Sequence, residues 1–288
     1  MSLRNLIPWQ ARILGKLLLS RVPSSYRFWQ RLGLFRHGKM DDPAYAYGVF
    51  RSHYDQANFV RKEKCFVTME LGPGDSLFSA QIAYALGAGV SYLVDVGRFA
   101  QENIDPYLRM EAFLREQGLN APVVSGMGKV EGLLASCGAH YLCEGLKSMH
   151  EIPDGSVDFI WSHAVLEHVR KVEFTDMLRE MRRVIRPDGE CSHRIDLMDH
   201  LGGALNNLRF SEEYWESDWM AGAGFYTNRI RYSEMLQLFE AAGFKVVVRD
   251  VQRWQELPTP RKSMTPVFAS LPDSELTVSA FDVTLMPR

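Results

Sequence analysis

A Gly-Pro-Gly turn after a buried strand is the feature that most constrains how this chain folds. The apolar run Cys65–Met69 predicts a strand, and Glu70 stands at its end, just before Gly72-Pro73-Gly74. A helical pattern follows, with Ser76 as its predicted N-cap. Because a strand, a glycine turn and a helix N-terminus let the backbone come close to a ligand, this stretch predicts a ligand site in an α/β fold.

The next predicted strand adds a second acid to this site. Ser91–Asp95 ends 21 positions beyond Gly74, near the spacing at which a carboxylate meets a ribose in nucleotide-binding α/β units. Leu77 stands where a dinucleotide-binding fingerprint has its third glycine. Glu70 would repel a pyrophosphate and would favour a cationic ligand. These features disfavour a nicotinamide-dependent oxidoreductase.

Two later stretches match the same pattern. Residues 152–169 contain Pro-Asp-Gly-Ser-Val-Asp and end in Leu-Glu-His-Val, and residues 178–189 end in Arg-Pro-Asp-Gly. With the Glu-x-Gly-x-Gly of residues 70–74, they resemble the class I S-adenosylmethionine (AdoMet)-dependent methyltransferases that have a type 11-like methyltransferase domain. The resemblance runs from about Cys65 to Asp196 and returns in the C-terminal strands.

The resemblance implies a three-layer, doubly wound α/β fold with a mostly parallel seven-stranded sheet, the Rossmann-like methyltransferase fold. We expect a basic and aromatic helical cap at residues 1–62, a methyltransferase domain at 63–288, and a substrate-lid insertion at 199–230. AdoMet is the implied methyl donor and S-adenosylhomocysteine the product. Leu146 occupies the family's usual adenine-contacting acid position, and Glu144 is the alternative contact. The implied cofactor-binding residues are Glu70, Gly72, Pro73, Gly74, Asp75, Asp95, Val96, Glu144, Leu146, Ser162 and His163.

Histidines that follow the predicted strands are candidate bases for a hydroxyl acceptor, because the pKa of histidine lies close to neutral pH. Ser162-His163 is predicted to form the loop after strand four, where α/β sheets hold ligands. His193, Asp196, Asp199 and His200 could form an acid–base pair, a divalent-metal site or merely scattered polar residues, and a metal is not favoured. The candidate catalytic residues are His163, His168, His193, Asp196 and His200.

Aromatic residues concentrate in two places. A predicted helix from Pro43 to about Asn58, with Asp42 as N-cap, is expected in the core or beside the acceptor. The insertion mixes rings, amides and arginines, which suits sugar or aryl acceptors, although the rings could equally form a subdomain core. The predicted substrate-contacting residues are Arg209, Trp215, Tyr226, Asn228 and Arg229.

Charge is unevenly distributed along the chain. Residues 1–40 hold eight Lys or Arg and no Asp or Glu, although the net charge is −2. Their apolar spacing predicts two basic amphipathic helices, which either lie on an anionic membrane surface or cap the domain. The acidic remainder disfavours nucleic acid, and four cysteines without CxxC pairing fit a cytoplasmic protein. We therefore expect a cytoplasmic location, with peripheral membrane contact through residues 1–40 as an alternative.

The predicted function is AdoMet-dependent methyl transfer to a hydroxyl oxygen of a sugar, glycolipid or aromatic secondary metabolite. The partner is then a small-molecule or glycan substrate, in bacterial glycan or secondary-metabolite biosynthesis. Methylation of nitrogen or carbon, and a non-catalytic AdoMet-binding partner subunit, remain open alternatives. The oligomeric state is not predicted.

Overall fold

A seven-stranded sheet forms the centre of the molecule. The computed structural model describes residues 39–62 and 65–288. The strands lie in the order β3-β2-β1-β4-β5-β7-β6, and β7 runs antiparallel to both of its neighbours. They are β1 (Val67–Leu71), β2 (Val90–Val94), β3 (Ala139–Leu142), β4 (Val157–His163), β5 (Ile185–Asp196), β6 (Phe244–Arg253) and β7 (Val278–Pro287).

Helices cover both faces of the sheet. Helices α1 to α4 pack on one face around Phe50, Phe78 and Trp161, and α6 and α9 pack on the other face around Leu178 and Phe239. This arrangement confirms the predicted three-layer, mostly parallel α/β fold. The helices are α1 (Pro43–Gln56), α2 (Phe78–Ala85), α3 (Asp105–Glu116), α4 (Val130–Ser136), α5 (Leu146–Met149), α6 (Lys171–Val184), α7 (Glu212–Trp215), α8 (Asp218–Ala221), α9 (Tyr232–Ala241), α10 (Pro266–Ala269) and α11 (Asp273–Leu276), with 3₁₀ turns at Leu166–His168, Asn206–Arg209 and Arg261–Ser263.

The strand order creates a crevice between β1 and β4. From β1 the chain moves outward through β2 to β3, and then returns to place β4 on the other side of β1. The loops after β1 and β4 therefore leave the sheet in opposite directions. In open α/β sheets, ligands bind at the carboxyl ends of the strands at such a reversal.

Several local predictions are confirmed and two boundaries differ. Asp42 caps α1 by accepting a hydrogen bond from Tyr45 N at 2.8 Å. Helix α2 begins at Phe78, so the helix starts later than the predicted Ser76 cap implies. The predicted turn at residues 186–189 lies inside β5, as a bulge. The pairing there moves from Val157 with Ile185 to Phe159 with Glu190.

The described residues include only the second part of the predicted N-terminal cap, residues 39–62. The two basic helices and their membrane contact rest on residues 1–38, which lie outside the described residues. Helix α1, predicted as part of the cap, shares one apolar cluster with α2 and the sheet, since Phe50 contacts Phe159 and Trp161. Within residues 39–62 and 65–288, none of the helices has the length and apolar character needed to cross a membrane.

The insertion at 199–230 packs against a second excursion, at residues 255–275. Leu205 and Leu208 share an apolar cluster with Met264 and Phe268, and Thr265 N donates to Leu208 O at 3.0 Å. Arg231 anchors this layer to the sheet. It is fully buried and donates to Leu197 O and Val278 O, both at 2.9 Å.

Replacing Arg231 with Met should lower the free energy of unfolding by about 2–4 kcal/mol, because the substitution leaves buried carbonyl oxygens without a donor. Urea denaturation measures the change. Arg179→Met is the matched control, since Arg179 is largely exposed and forms a surface ion pair with Asp176. Equal denaturation midpoints for the two variants would show that the anchor contributes nothing to stability.

Candidate functional site

The glycine turn after β1 is pressed against the loop after β4. Gly72 and Gly74 have φ values of +67° and +65°, which side chains other than glycine rarely adopt. A Cβ placed on Gly72 would lie 2.6 Å from Val165 Cγ2. The missing side chain therefore lets the turn and the loop meet at the crevice.

Asp95 joins three loops at this edge. Its Oδ2 accepts from Gly74 N at 2.9 Å and its Oδ1 accepts from Val96 N at 2.7 Å. Its backbone oxygen accepts from Gly145 N at 2.8 Å, in the loop after β3. The predicted cofactor residues around β1, β2 and β3 are thus brought together, with Val96 79% exposed beside the carboxylate.

Glu70 is buried beneath the turn. Its side chain accepts a hydrogen bond from the Ser79 hydroxyl of α2. Burial, reinforced by the charge of Asp95, raises the pKa of Glu70 to about 8, while the Ser79 hydrogen bond opposes the rise. The acid therefore holds its proton near neutral pH unless a cationic group approaches it.

The end of β4 differs from the prediction. Ser162 and His163 lie within the strand rather than in the loop after it, and their side chains point to opposite faces of the sheet. Ser162 Oγ lies 2.7 Å from His193 Nδ1, and both side chains are fully buried. Burial lowers the pKa of His193 to about 3. A cofactor role for Ser162 and a base role for His193 are therefore corrected to an interior polar contact.

His163 is only partly buried at the carboxyl end of β4, two residues before Val165. Its Nδ1 lies 3.1 Å from His53 Nε2, and His53 Nδ1 lies 2.9 Å from Ser192 Oγ. His53 was not among the residues predicted from the sequence. The available signal was its position on the buried face of α1, where it is the one polar residue among Ala46, Val49, Phe50 and Tyr54.

Both histidines of this pair are neutral near neutral pH. Burial, together with the positive charge of Arg194, lowers the pKa of His163 to about 4. Burial, followed by the charges of His163, His193 and Arg194, lowers the pKa of His53 well below its ordinary value. Each ring therefore carries one hydrogen and one bare nitrogen.

The remaining candidates after β4 and β5 stabilise local structure. His168 Nδ1 lies 2.8 Å from Tyr226 O, and its ring lies 4.7 Å from that of His200. Asp196 accepts from Met198 N, and Asp199 accepts from backbone N–H groups of its own loop. Among residues 39–62 and 65–288, no group of three or more His, Cys, Asp or Glu side chains is arranged to hold a metal. The alternative metal site at His193, Asp196, Asp199 and His200 is therefore not supported.

The predicted substrate-contacting residues lie mainly inside the lid. Trp215 Nε1 donates to Thr227 O, and Asn228 Nδ2 donates to Leu166 O. Arg229 is buried and donates to Phe210 O and to the Glu212 carboxylate. Tyr226 donates its hydroxyl hydrogen to Glu216, and Arg209 donates to Asn206. This placement favours the aromatic subdomain core that the sequence left as an alternative.

The comparison with known families decides the class of protein. Residues 70–192 match the family described as "Methyltransferase domain". Residues 70–192 are a class I S-adenosylmethionine-dependent methyltransferase domain. The family match covers the glycine turn, Asp95 and β4, which meet at the crevice described above.

Solved structures to which this chain is similar include YcgJ of Bacillus subtilis, which is 14% identical at a TM-score of 0.45 over 85% of this chain and 99% of that chain. An S-adenosylmethionine-dependent methyltransferase from Mesorhizobium loti is 16% identical, with a TM-score of 0.42 over 79% of this chain and 93% of that chain. A methyltransferase from Aquifex aeolicus is 14% identical, with a TM-score of 0.42 over 89% of this chain and 96% of that chain. No curated protein matches the chain.

The residues of the methyltransferase at this edge fit AdoMet. Gly72 and Gly74 are partly exposed at positive φ values, so their backbone can meet a ligand, and the acids Glu70 and Asp95 suit a cationic amino-acid moiety and ribose hydroxyls respectively. The exposed Val96 offers an apolar contact for the adenine ring of AdoMet. These assignments remain predictions, as do those for Pro73, Asp75, Glu144 and Leu146.

Gly72→Ala should weaken AdoMet binding about tenfold or more, because the new Cβ displaces Val165 from the turn. Isothermal titration calorimetry measures the affinity. Gly87→Ala is the matched control, since Gly87 also has a positive φ but open space around its Cβ position. Adding Val165→Ala to Gly72→Ala should recover part of the affinity. Equal losses in the Gly72 and Gly87 variants would assign the effect to backbone strain alone.

Glu70→Gln should become progressively more stable than the wild type as pH rises from 4.5 to about 8. In this window the native wild-type Glu70 keeps its proton while the unfolded chain has lost its own, so wild-type stability falls with rising pH. Because glutamine cannot ionise, the stability of the variant does not fall in this way. Denaturation midpoints across the window test the effect, and the exposed Glu131→Gln should follow the wild type. If the difference in stability between Glu70→Gln and the wild type does not change with pH, Glu70 is not a buried, protonated acid.

Proposed function

We propose that this AdoMet-dependent methyltransferase methylates an oxygen atom of a small-molecule or glycan acceptor, and that His163 contacts that oxygen. The observation that carries the proposal is the position of His163. Its neutral imidazole ends β4 beside the loop that packs on the glycine turn, and its Nε2 has no hydrogen-bond partner among residues 39–62 and 65–288.

Methyl transfer from AdoMet requires mainly that the protein position the two reactants. AdoMet supplies an electrophilic methyl group on a sulfonium. The chain's task is to align the acceptor with that methyl group and exclude water, and such positioning alone removes several kcal/mol from a barrier. An oxygen acceptor also needs a polar group beside it, and a neutral imidazole can donate or accept that hydrogen bond.

The proposed acceptor is a sugar, glycolipid or aromatic metabolite. The lid supports this class through the aromatic residues that stay at its surface, since Tyr214 and Trp219 are 45% and 41% exposed with ring centroids 6.2 Å apart. Flat rings of this kind stack on sugars and aryl groups. Incubation with methyl-labelled AdoMet and a panel of these compounds, followed by mass spectrometry, identifies the methylated atom. Label found on nitrogen or carbon would replace the proposal with the alternative transfer.

His163→Asn should bind AdoMet with an affinity within about twofold of the wild type and lose about 100-fold or more in turnover. The affinity is measured by calorimetry and the turnover by label transfer. His150→Asn, at an exposed histidine, is the matched control and should retain full activity. Full turnover in His163→Asn would remove His163 from the reaction.

A further inference from the structure

We infer that Ser192 and His53 hold His163 as a hydrogen-bond donor, so that the acceptor oxygen enters the site already ionised, as a carboxylate or an acidic phenol. This inference rests on the proposed function and narrows its sugar, glycolipid or aromatic acceptors to those that carry a carboxylate or an acidic phenol. Neither His53 nor Ser192 touches the acceptor, so both act as positioning residues.

Three elements build the hydrogen-bonded row. Helix α1 supplies His53, β5 supplies Ser192 and β4 supplies His163, with distances of 2.9 Å and 3.1 Å between successive polar atoms. The His53 ring is held in place because it also packs on Trp161, with ring centroids 5.4 Å apart. His53 and Ser192 are 4% and 1% exposed, so the row has a buried end at Ser192 and an open end at His163.

The buried end sets the direction of the hydrogen bonds. Within the described part of the chain, Ser192 Oγ has only His53 Nδ1 as a hydrogen-bond partner. A buried hydroxyl that cannot donate leaves its hydrogen unpaired, which is unfavourable. Ser192 therefore donates to His53 Nδ1, His53 Nε2 donates to His163 Nδ1, and the hydrogen of His163 lies on Nε2.

Hydrogen bonds in the opposite direction would leave Nε2 of His163 bare, so that His163 could act as a base. Two observations disfavour that arrangement. It would leave the Ser192 hydroxyl hydrogen unpaired in the interior. It would also present, at His163, a nitrogen whose pKa is lowered to about 4, too weak a base to remove the proton of an alcohol efficiently. Arg194, the register partner of His163 on β5, is the charged group beside the pair, and it is itself paired with Asp282.

An ionised acceptor removes the need for a base. A lone pair of the acceptor oxygen forms the new O–C bond, and the electrons of the broken C–S bond remain on sulfur. An anion and a sulfonium cation become a neutral methyl ester or ether and a neutral thioether, and no proton moves. His163 Nε2–H orients the anionic oxygen before transfer.

Ring-nitrogen NMR of ¹⁵N-histidine protein tests the row directly. Long-range ¹H–¹⁵N correlations distinguish a protonated ring nitrogen from a bare one, and His163→Asn assigns the His163 signals among eight histidines. The wild type should show His163 with a bare Nδ1 and a protonated Nε2. Ser192→Ala should give a mixture of tautomers, and Ser192→Thr should restore the single form. Ser91→Ala, at another buried serine, is the matched control and should leave His163 unchanged.

The acceptor class is tested by binding to the protein loaded with S-adenosylhomocysteine. Benzoate and 4-nitrophenolate should shift the His163 Nε2 signal, and benzyl alcohol should not. A wild-type His163 with a bare Nε2, or an equal response to all three probes, overturns the inference. These measurements need no turnover, so a fully active His163→Asn enzyme would instead overturn the proposed function.

Discussion

The contact between Gly72 and Val165 is the constraint on which the rest of the site depends. Strands β1 and β4 lie side by side, and the loops that follow them leave the sheet in opposite directions at one crevice. Any Cβ at position 72 would occupy the space of the Val165 methyl groups. Ala164, at a φ of +55°, turns the chain sharply so that Val165 reaches this space only two residues after His163. The position of His163 relative to the glycine turn follows from that packing.

Burial at this edge keeps titratable groups neutral. It raises the pKa of Glu70 and Glu167 and lowers the pKa of His53, His163 and His193, in each case because the interior disfavours the charged form. Neutral groups influence a ligand through the direction of their hydrogen bonds rather than through net charge. The arrangement of hydrogens along Ser192, His53 and His163 is therefore a chemical property of the site, set by packing between α1 and the sheet.

In the insertion at residues 199–230, polar side chains stabilise the fold. Most of its arginines and amides are buried rather than exposed as a binding surface. Arg229 donates to a backbone oxygen inside the insertion, whereas Asn228 donates to Leu166 O in the segment after β4, and Arg231 ties the insertion to β7. A short insertion with few regular hydrogen bonds needs such donors, because its buried carbonyl groups lack partners within helices or strands.

The sequence alone determined the α/β fold, the glycine turn, the acid after β2 and the buried strand that leads to His163. These features depend on local rules, namely apolar periodicity, turn residues and spacing along the chain. Only the tertiary structure decided that Ser162 and His193 face the interior, that the lid residues are buried, and that His53 reaches His163. Those outcomes depend on which face a side chain presents and on contacts between residues more than 100 positions apart, such as His53 and His163, and no local pattern encodes them.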